Sequence, residues 1–168
     1  MSWQELWTKA EENNIIIPAQ KNDTTIQLDD LGVGVAGVWE INKNNYPSFP
    51  IGSKIKYQFN LNGCQYLIVI EKFASGEFYC LAPSQFSPSF PVYDNWVILP
   101  HNSVFTVQPP TGMEEIIAVF SNDKPEISWL PKSTDNPLEL KEEHLADILS
   151  YVNDNNYSIV RSKYLITG

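Results

Sequence analysis

Basic residues and long apolar runs are both scarce in this sequence. Lys and Arg number 11 against 20 Asp and Glu, which gives a formal net charge of -9. That is the wrong sign for neutralising nucleic-acid phosphates, and no local run of Lys or Arg compensates for it. The apolar runs, such as Tyr66 to Ile70, are far too short to cross a bilayer. We therefore expect neither a nucleic-acid nor a membrane partner.

Cysteine is also scarce, with Cys64 and Cys80 the only two. A turn at residues 74–76 would place Cys80 opposite a residue near Ile70, so the two sulfurs would lie roughly 20 Å apart along a strand. Because a disulfide needs Cα atoms within about 7 Å, we expect two buried free thiols. The start of the sequence lacks a positively charged segment followed by an apolar stretch. Together these features predict a cytoplasmic protein.

The composition itself is that of a packed globule. Hydrophobic residues make up 43% of the chain and charged residues only 18%, so no part has the character of a disordered tail. The length suits one ordinary domain, and we see neither an internal repeat nor a linker. The sequence predicts a single domain over residues 1–168.

Hydrophobic periodicity predicts a mostly-β chain with a helix near each end. Ser2 and Glu5 form a capping-box pattern before apolar residues at helical spacing, and a second helix is predicted from about Leu138 to Val152 with Pro137 near its first turn. Ser158 to Thr167 has the pattern of a closing strand. We predict a β-sandwich, immunoglobulin-like or an open barrel, of about eight strands with one short N-terminal and one C-terminal helix.

Two central strands have distinct patterns. In residues 54–61 apolar and polar side chains alternate, which predicts one buried face and one wet face that includes Lys56. Tyr66 to Glu71 is apolar on both faces, which predicts a central strand buried from two sides. Other strands are expected at Thr24 to Leu28 and Val33 to Ile41.

Two segments contain residue types typical of a dinucleotide site or a calcium site, but neither has the surrounding sequence that such a site needs. Gly32 to Gly37 matches G-x-G-x-x-G, but the following residues favour strand continuation and no acid occurs between Glu40 and Glu71. Asp23, Asp29 and Asp30 lack the regular ligand spacing of a calcium loop. We therefore expect a closely packed strand and a polar turn rather than cofactor or metal sites.

Catalytic arrangements are equally unsupported. The one nucleophile–base combination to consider is His101 with either Cys64 or Cys80. Cysteines on strands among aromatic residues are more often part of the hydrophobic core. The acid pairs, such as Glu114 and Glu115, are adjacent in sequence, so on a strand their side chains point to opposite faces. The sequence therefore predicts no catalytic residues, no cofactor and no metal ion.

The aromatic residues in and beside the Pro-rich segment 83–91 are the best candidates for a binding surface. They are Phe86, Phe90, Tyr93 and Trp96. If exposed together, they would form a protein-contact patch or a sugar-stacking platform; otherwise, they would close one end of the sandwich.

Short motifs over about residues 49–125 resemble, in the same order, those of the bacterial domain-of-unknown-function family four-three-eight-four. They are Gly52-Ser53-Lys54-Ile55, Gly63-Cys64-Gln65-Tyr66-Leu67, Gly76 with Leu81-Ala82-Pro83, Leu99-Pro100, and Pro109 to Glu114. The sequence departs from the family at Ser84, where the family usually has Asn. The resemblance implies a β-sandwich module, often attached to subtilisin-like or caspase-like peptidases or to kinases, and it implies no catalytic residues.

These observations favour a non-catalytic accessory or protein-interaction domain, whose partner would be another protein such as a peptidase or signalling protein. The alternative is a carbohydrate- or small-ligand-binding module that uses the loop aromatics Phe86, Tyr93 and Trp96.

Overall fold

Two β-sheets and a pair of helices form three stacked layers. The computed structural model describes residues 1–19, 40–41, 46–154 and 157–168, and the pair 40–41 by its backbone alone. In chain order the elements are α1 Ser2–Lys9, β1 Glu11–Glu12, β2 Ile16–Pro18, β3 Glu40–Ile41, β4 Pro47–Pro50, β5 Lys54–Asn60, β6 Tyr66–Lys72, β7 Phe78–Ala82, β8 Trp96–Leu99, β9 Phe105–Thr106, β10 Gly112–Ser121, β11 Leu138–Leu140, α2 Glu142–Asp154 and β12 Ser158–Thr167.

The larger sheet has eight strands and forms the middle layer. Its order is β11-β7-β6-β10-β12-β4-β3, and β1 pairs in parallel with β12. β6 lies between β7 and β10, antiparallel to both. Leu67 and Val69 of β6 face one apolar cluster, whereas Ile68 and Ile70 face another. The expectation that this strand is buried from two sides is therefore confirmed.

The smaller sheet has four strands and covers one face of the larger sheet. β5 pairs with β2, β8 and β9, all antiparallel. Ile55, Tyr57 and Phe59 of β5 point into the cluster between the sheets, as their alternation predicts. Lys56 does not follow the prediction, because it is 5% exposed where the alternation predicts a wet side chain. Lys56 lies on the central strand of the smaller sheet, and its backbone pairs with Ile17 of β2.

The two helices pack on the opposite face of the larger sheet. Trp3 and Leu6 of α1 and Leu145 and Ile148 of α2 share a cluster with the outward-facing residues of β6 and β10. The predicted capping box is wrong: Ser2 lies inside α1, and its Oγ donates a 2.6 Å hydrogen bond to Oε2 of Glu142 at the start of α2. The Ser2 hydroxyl therefore makes a tertiary contact with α2 and does not cap α1.

The predicted sandwich is confirmed, but the number of strands and the start of the second helix differ from the prediction. The described residues contain twelve strands instead of about eight, because several are edge segments of two to four residues, too short for a periodic signal. The predicted second helix is wrong in its first turn, since Leu138–Leu140 pairs with β7 and α2 begins at Glu142, well after Pro137. The predicted strand 24–28, most of the strand 33–41, the glycine motif 32–37 and the Asp23, Asp29 and Asp30 segment lie outside the described residues.

Candidate functional site

A cavity of about 370 Å³ opens between the two sheets, at the end where β5 begins. Its walls are mainly apolar and aromatic. Phe73 stacks on Tyr79 at 5.0 Å between ring centroids, and Phe86 meets Phe105 edge-on at 5.3 Å. The segment from Val107 to Pro110 completes the rim. The cavity is thus shaped by the strands of both sheets and by the loop that follows β9.

Four polar side chains meet at the cavity, one from each of four strands. Tyr57 of β5 reaches across from the smaller sheet and donates a 2.7 Å hydrogen bond to Oε1 of Glu71 on β6. Its hydroxyl oxygen lies 3.3 Å from that of Tyr164 on β12. Glu71 is also hydrogen-bonded to Glu114 of β10, whose carboxylate accepts a hydrogen bond from the backbone N–H of Ala74. We call Tyr57, Glu71, Glu114 and Tyr164 the carboxyl–tyrosine cluster.

Glu71 is the more buried of the two glutamates, with 3% of its surface exposed against 7% for Glu114. Burial raises the pKa of Glu71 well above its ordinary value, and the contact with Glu114 raises it further, while the Tyr57 hydrogen bond lowers it. The folded state therefore favours the protonated form of Glu71.

Both tyrosines of the cluster remain neutral. Burial raises the pKa of Tyr57, and the neighbouring charge of Glu71 adds to the effect. Burial and the same carboxylate raise the pKa of Tyr164. Neutral hydroxyl groups can donate to the carboxyl pair, which is what the 2.7 Å Tyr57 contact shows.

Sequence reasoning missed the carboxyl pair, although it treated the local geometry correctly. Glu114 and Glu115 do point to opposite faces: Glu114 lines the cavity, whereas Oε1 of Glu115 accepts a 2.9 Å hydrogen bond from Trp3 of α1. The missing fact was the register that pairs Ile116 with Glu71 and so makes Glu114 a diagonal neighbour of Glu71 on the same face. The available signal in the sequence was that Glu71 continues the inward-facing series of Leu67 and Val69.

The four predicted aromatic residues do not form one surface. Phe86 and Phe90 are partly buried and pack on the cluster between the sheets, and Phe86 also lines the cavity. Tyr93 is 80% exposed and Trp96 is 53% exposed. Trp96 pairs with Asn60, at the end of β5 remote from the cavity. Two of the four residues therefore belong to the sandwich, and the other two are exposed on its surface.

The cysteines and His101 occupy unrelated positions. Both cysteines are free thiols, Cys80 buried and Cys64 only half-buried, and Cys80 pairs with Ile70 across the hairpin as predicted. The Cys80 thiol donates to the Ala82 carbonyl at 3.2 Å, and burial raises its pKa to about 12. The Nδ1 atom of His101 lies 3.1 Å from the carbonyl oxygen of Phe86 instead. A thiolate–imidazole pair has no support in this arrangement.

Residues 1–19, 46–154 and 157–168 contain no group of three or more His, Cys, Asp or Glu that could hold a metal ion. Neither α1 nor α2, the helices among these residues, is long and apolar enough to span a membrane.

The fold and the site define a mostly-β sandwich domain with a solvent-open cavity between its sheets. Residues 48–124 match the family model described as Domain of unknown function (DUF4384), and the expected resemblance is confirmed. Tyr57, Glu71 and Glu114 fall inside the matched range, and Tyr164 falls outside it. Comparison with curated proteins and with solved structures gives no match.

Proposed function

We propose that this domain is a non-catalytic binding module that takes a small ligand into the cavity between its sheets. The observation that carries the proposal is a carboxyl–tyrosine cluster at an apolar-walled cavity of about 370 Å³. Small-ligand pockets commonly measure about 300–1,000 Å³ and combine apolar walls with a few converging polar groups. Burying two acids at one site opposes folding, and a ligand that bonds to them would offset that cost.

A binding role is favoured over a catalytic one by what surrounds the cluster. Glu71 and Glu114 are bonded to each other and to Tyr57 and the Ala74 amide. Among the described residues that line the cavity, none is Cys, His or Lys, the usual partners of a carboxylate in nucleophilic catalysis. The free thiols of Cys64 and Cys80 agree with a reducing, cytoplasmic setting.

A ligand-observed NMR screen with a blocked-cavity variant tests this proposal. Ser75 is an exposed turn residue at the cavity, so Ser75→Trp should obstruct the opening without entering the core. Ser103→Trp is the matched control, since Ser103 is equally exposed but does not line the cavity. We expect compounds that bind the wild type and Ser103→Trp to lose binding to Ser75→Trp. Equal binding to all three proteins, or no binding, would contradict the proposal.

A protein-interaction role is the second candidate, and the exposure of Tyr93 and Trp96 favours it. Large aromatic side chains are enriched at the centres of protein interfaces, where they contribute much of the binding energy. On this reading the domain is an accessory module, and its partner is another protein such as a peptidase or signalling protein. A sugar platform built from Phe86, Tyr93 and Trp96 has less support, because Phe86 packs at the cavity and Trp96 lies at the other end of β5.

An affinity capture experiment with mass spectrometry addresses this second candidate. The wild type is compared with a Tyr93→Ala/Trp96→Ala double variant, checked for folding by circular dichroism. Both side chains are mostly exposed, so the variant should remain folded. A protein captured by the wild type and lost with the variant supports the interaction surface; identical capture by both proteins counts against it.

A further inference from the structure

The walls and polar groups of the cavity restrict the chemical class of its ligand. We infer, resting on the proposed binding function, that the ligand is a small primary alkylammonium ion: its head group binds the Glu71–Glu114 pair, and its apolar stem lies along the aromatic wall. Three features carry this inference: the charge of the lining, the direction of the hydrogen bonds in the cluster, and the aromatic rings beside it.

The lining has negative charge and no compensating positive charge. Glu71 and Glu114 are its acids, and the described lining residues include no Lys, Arg or His. Lys54 does not line the cavity, and its Nζ donates a 2.7 Å hydrogen bond in an exposed contact to Oγ1 of Thr106, a residue of the lining. A carboxyl pair that is largely withdrawn from water attracts a cation more strongly than an exposed pair does. Charge complementarity therefore selects a positively charged head group.

The hydrogen bonds of the cluster leave acceptors for the ligand. Tyr57 donates its hydrogen to Glu71, so Tyr164 is the donor in the 3.3 Å contact between the two tyrosine hydroxyl groups. The hydroxyl hydrogens are thus used inside the cluster. A carboxylate has about four lone-pair sites, and only part of this capacity is taken by Tyr57 and the Ala74 amide. An ammonium group supplies three donors and no acceptor, which matches a site of acceptors.

The aromatic wall suits the remainder of such a ligand. Phe73, Tyr79, Phe86 and Phe105 all line the cavity. Their ring faces and edges provide apolar surface for an alkyl stem, and a ring face close to a cation adds an attractive electrostatic contact. The cavity volume of about 370 Å³ accommodates a stem of several carbon atoms, but it is too small for a folded protein segment.

Binding of a cation should favour the charged form of Glu71, whose pKa is raised by burial in the free protein. The ammonium group keeps its own proton, and the proton that Glu71 releases leaves to water. The titratable groups that face Glu71 are Tyr57 of β5, Glu114 of β10, Tyr164 of β12 and Tyr79 of β7. Burial raises the pKa of both Tyr57 and Tyr164, so the released proton comes from Glu71. Affinity should therefore rise with pH, by up to about tenfold per pH unit while one proton is released.

Isothermal titration with three probes of five carbon atoms each tests the inference. The probes are pentylammonium, pentanol and pentanoate, whose head groups carry a positive, a zero and a negative charge. We expect pentylammonium to bind the wild type at least about tenfold more tightly than pentanol, with pentanoate the weakest. Phosphate and MOPS buffers, which differ in ionisation enthalpy, should report release of up to one proton for pentylammonium and none for pentanol.

Two variants localise the effect. Glu114→Gln should reduce pentylammonium affinity at least tenfold and leave pentanol affinity within about twofold. If Glu114→Gln fails to fold, Ser75→Trp provides the second test, because it leaves the carboxyl pair in place and should weaken both probes. A blocked lysine, Nα-acetyl-lysine methylamide, carries the same head group on a peptide backbone and should bind more weakly than pentylammonium.

Each outcome has a separate meaning. Equal binding of pentylammonium and pentanol, or preference for pentanoate, would overturn the cation inference while leaving the cavity as a ligand site. Tighter binding of the blocked lysine than of pentylammonium would overturn the small-ligand assignment in favour of a peptide side chain. If no probe binds and the broader NMR screen also finds no ligand, both the inference and the proposed function fail.

Discussion

Replacing Glu71 with Gln should make the protein more stable near neutral pH, although it removes a buried hydrogen-bonded side chain. Glu71 is 3% exposed and its pKa is raised in the folded state, chiefly by burial. The folded protein therefore holds a proton that the unfolded chain has released above about pH 4.3, the ordinary glutamate pKa. Under these conditions, the wild type loses stability as pH rises.

The size of this effect follows from proton linkage. One proton held by the folded state alone changes the free energy of unfolding by about 1.4 kcal/mol per pH unit. Between pH 5 and pH 7 the wild type should lose up to about 2.7 kcal/mol relative to Glu71→Gln, whose amide cannot ionise. Gln is close to Glu in shape, and it can still accept from Tyr57 and donate to Glu114.

Urea unfolding followed by tryptophan fluorescence at several pH values measures the difference. The informative quantity is the stability of Glu71→Gln minus that of the wild type, because the pH-independent cost of the substitution cancels when this difference is compared across pH. Glu126→Gln, at an exposed position, is the control and should parallel the wild type. A difference that stays flat from pH 5 to pH 7 would refute the reasoning. Titration of the Glu71 side-chain carbon signal by NMR gives a check that needs no variant.

Three further predictions concern the framework around the site. Ile70→Ala, at a fully buried position of β6, should lower the free energy of unfolding by about 2–5 kcal/mol in urea titrations. Gly112→Ala should cost roughly 1–3 kcal/mol in the same assay, because Gly112 has φ of 134° and an added Cβ would lie 3.3 Å from that of Ala74. In a Cys64→Ser background, Cys80 should react with Ellman's reagent only on unfolding, since burial raises its pKa to about 12; rapid reaction in the native state would contradict this.

The parts of the fold that were predictable are those with a strong local pattern. β6 is apolar at successive positions, and such a run indicates cover on both faces without saying what provides it. In the structure Ile68 and Ile70 face the helices, and Leu67 and Val69 face the smaller sheet. The closing strand Ser158–Thr167 was predicted with the bounds it has. In contrast, Leu138–Leu140 joined the sheet through its pairing with β7, which no helical or strand period in that segment reveals.

The candidate site depends on contacts between segments far apart in sequence. Phe105 meets Phe86 edge-on and so helps to cover it. The carboxyl pair exists only because β6 and β10 are neighbouring strands in one register. A shift of that register by one residue would turn Glu114 to the helical side of the sheet. The sequence alone therefore indicated that aromatic residues were available, but it did not indicate which of them would border acids.

The distribution of polar groups separates the two sides of the larger sheet by role. On the helical side, Ile68, Ile70 and Ile117 contact other apolar side chains, as expected for a surface that stabilises the fold. On the other side, the same two strands carry Glu71 and Glu114, which both line the cavity. Apolar residues there would stabilise the sandwich more, since a buried acid pair opposes folding unless it is compensated. Tyr57 and the Ala74 amide satisfy only part of the hydrogen-bonding capacity of the two carboxyl groups. The cavity gives a ligand access to the remaining acceptor positions.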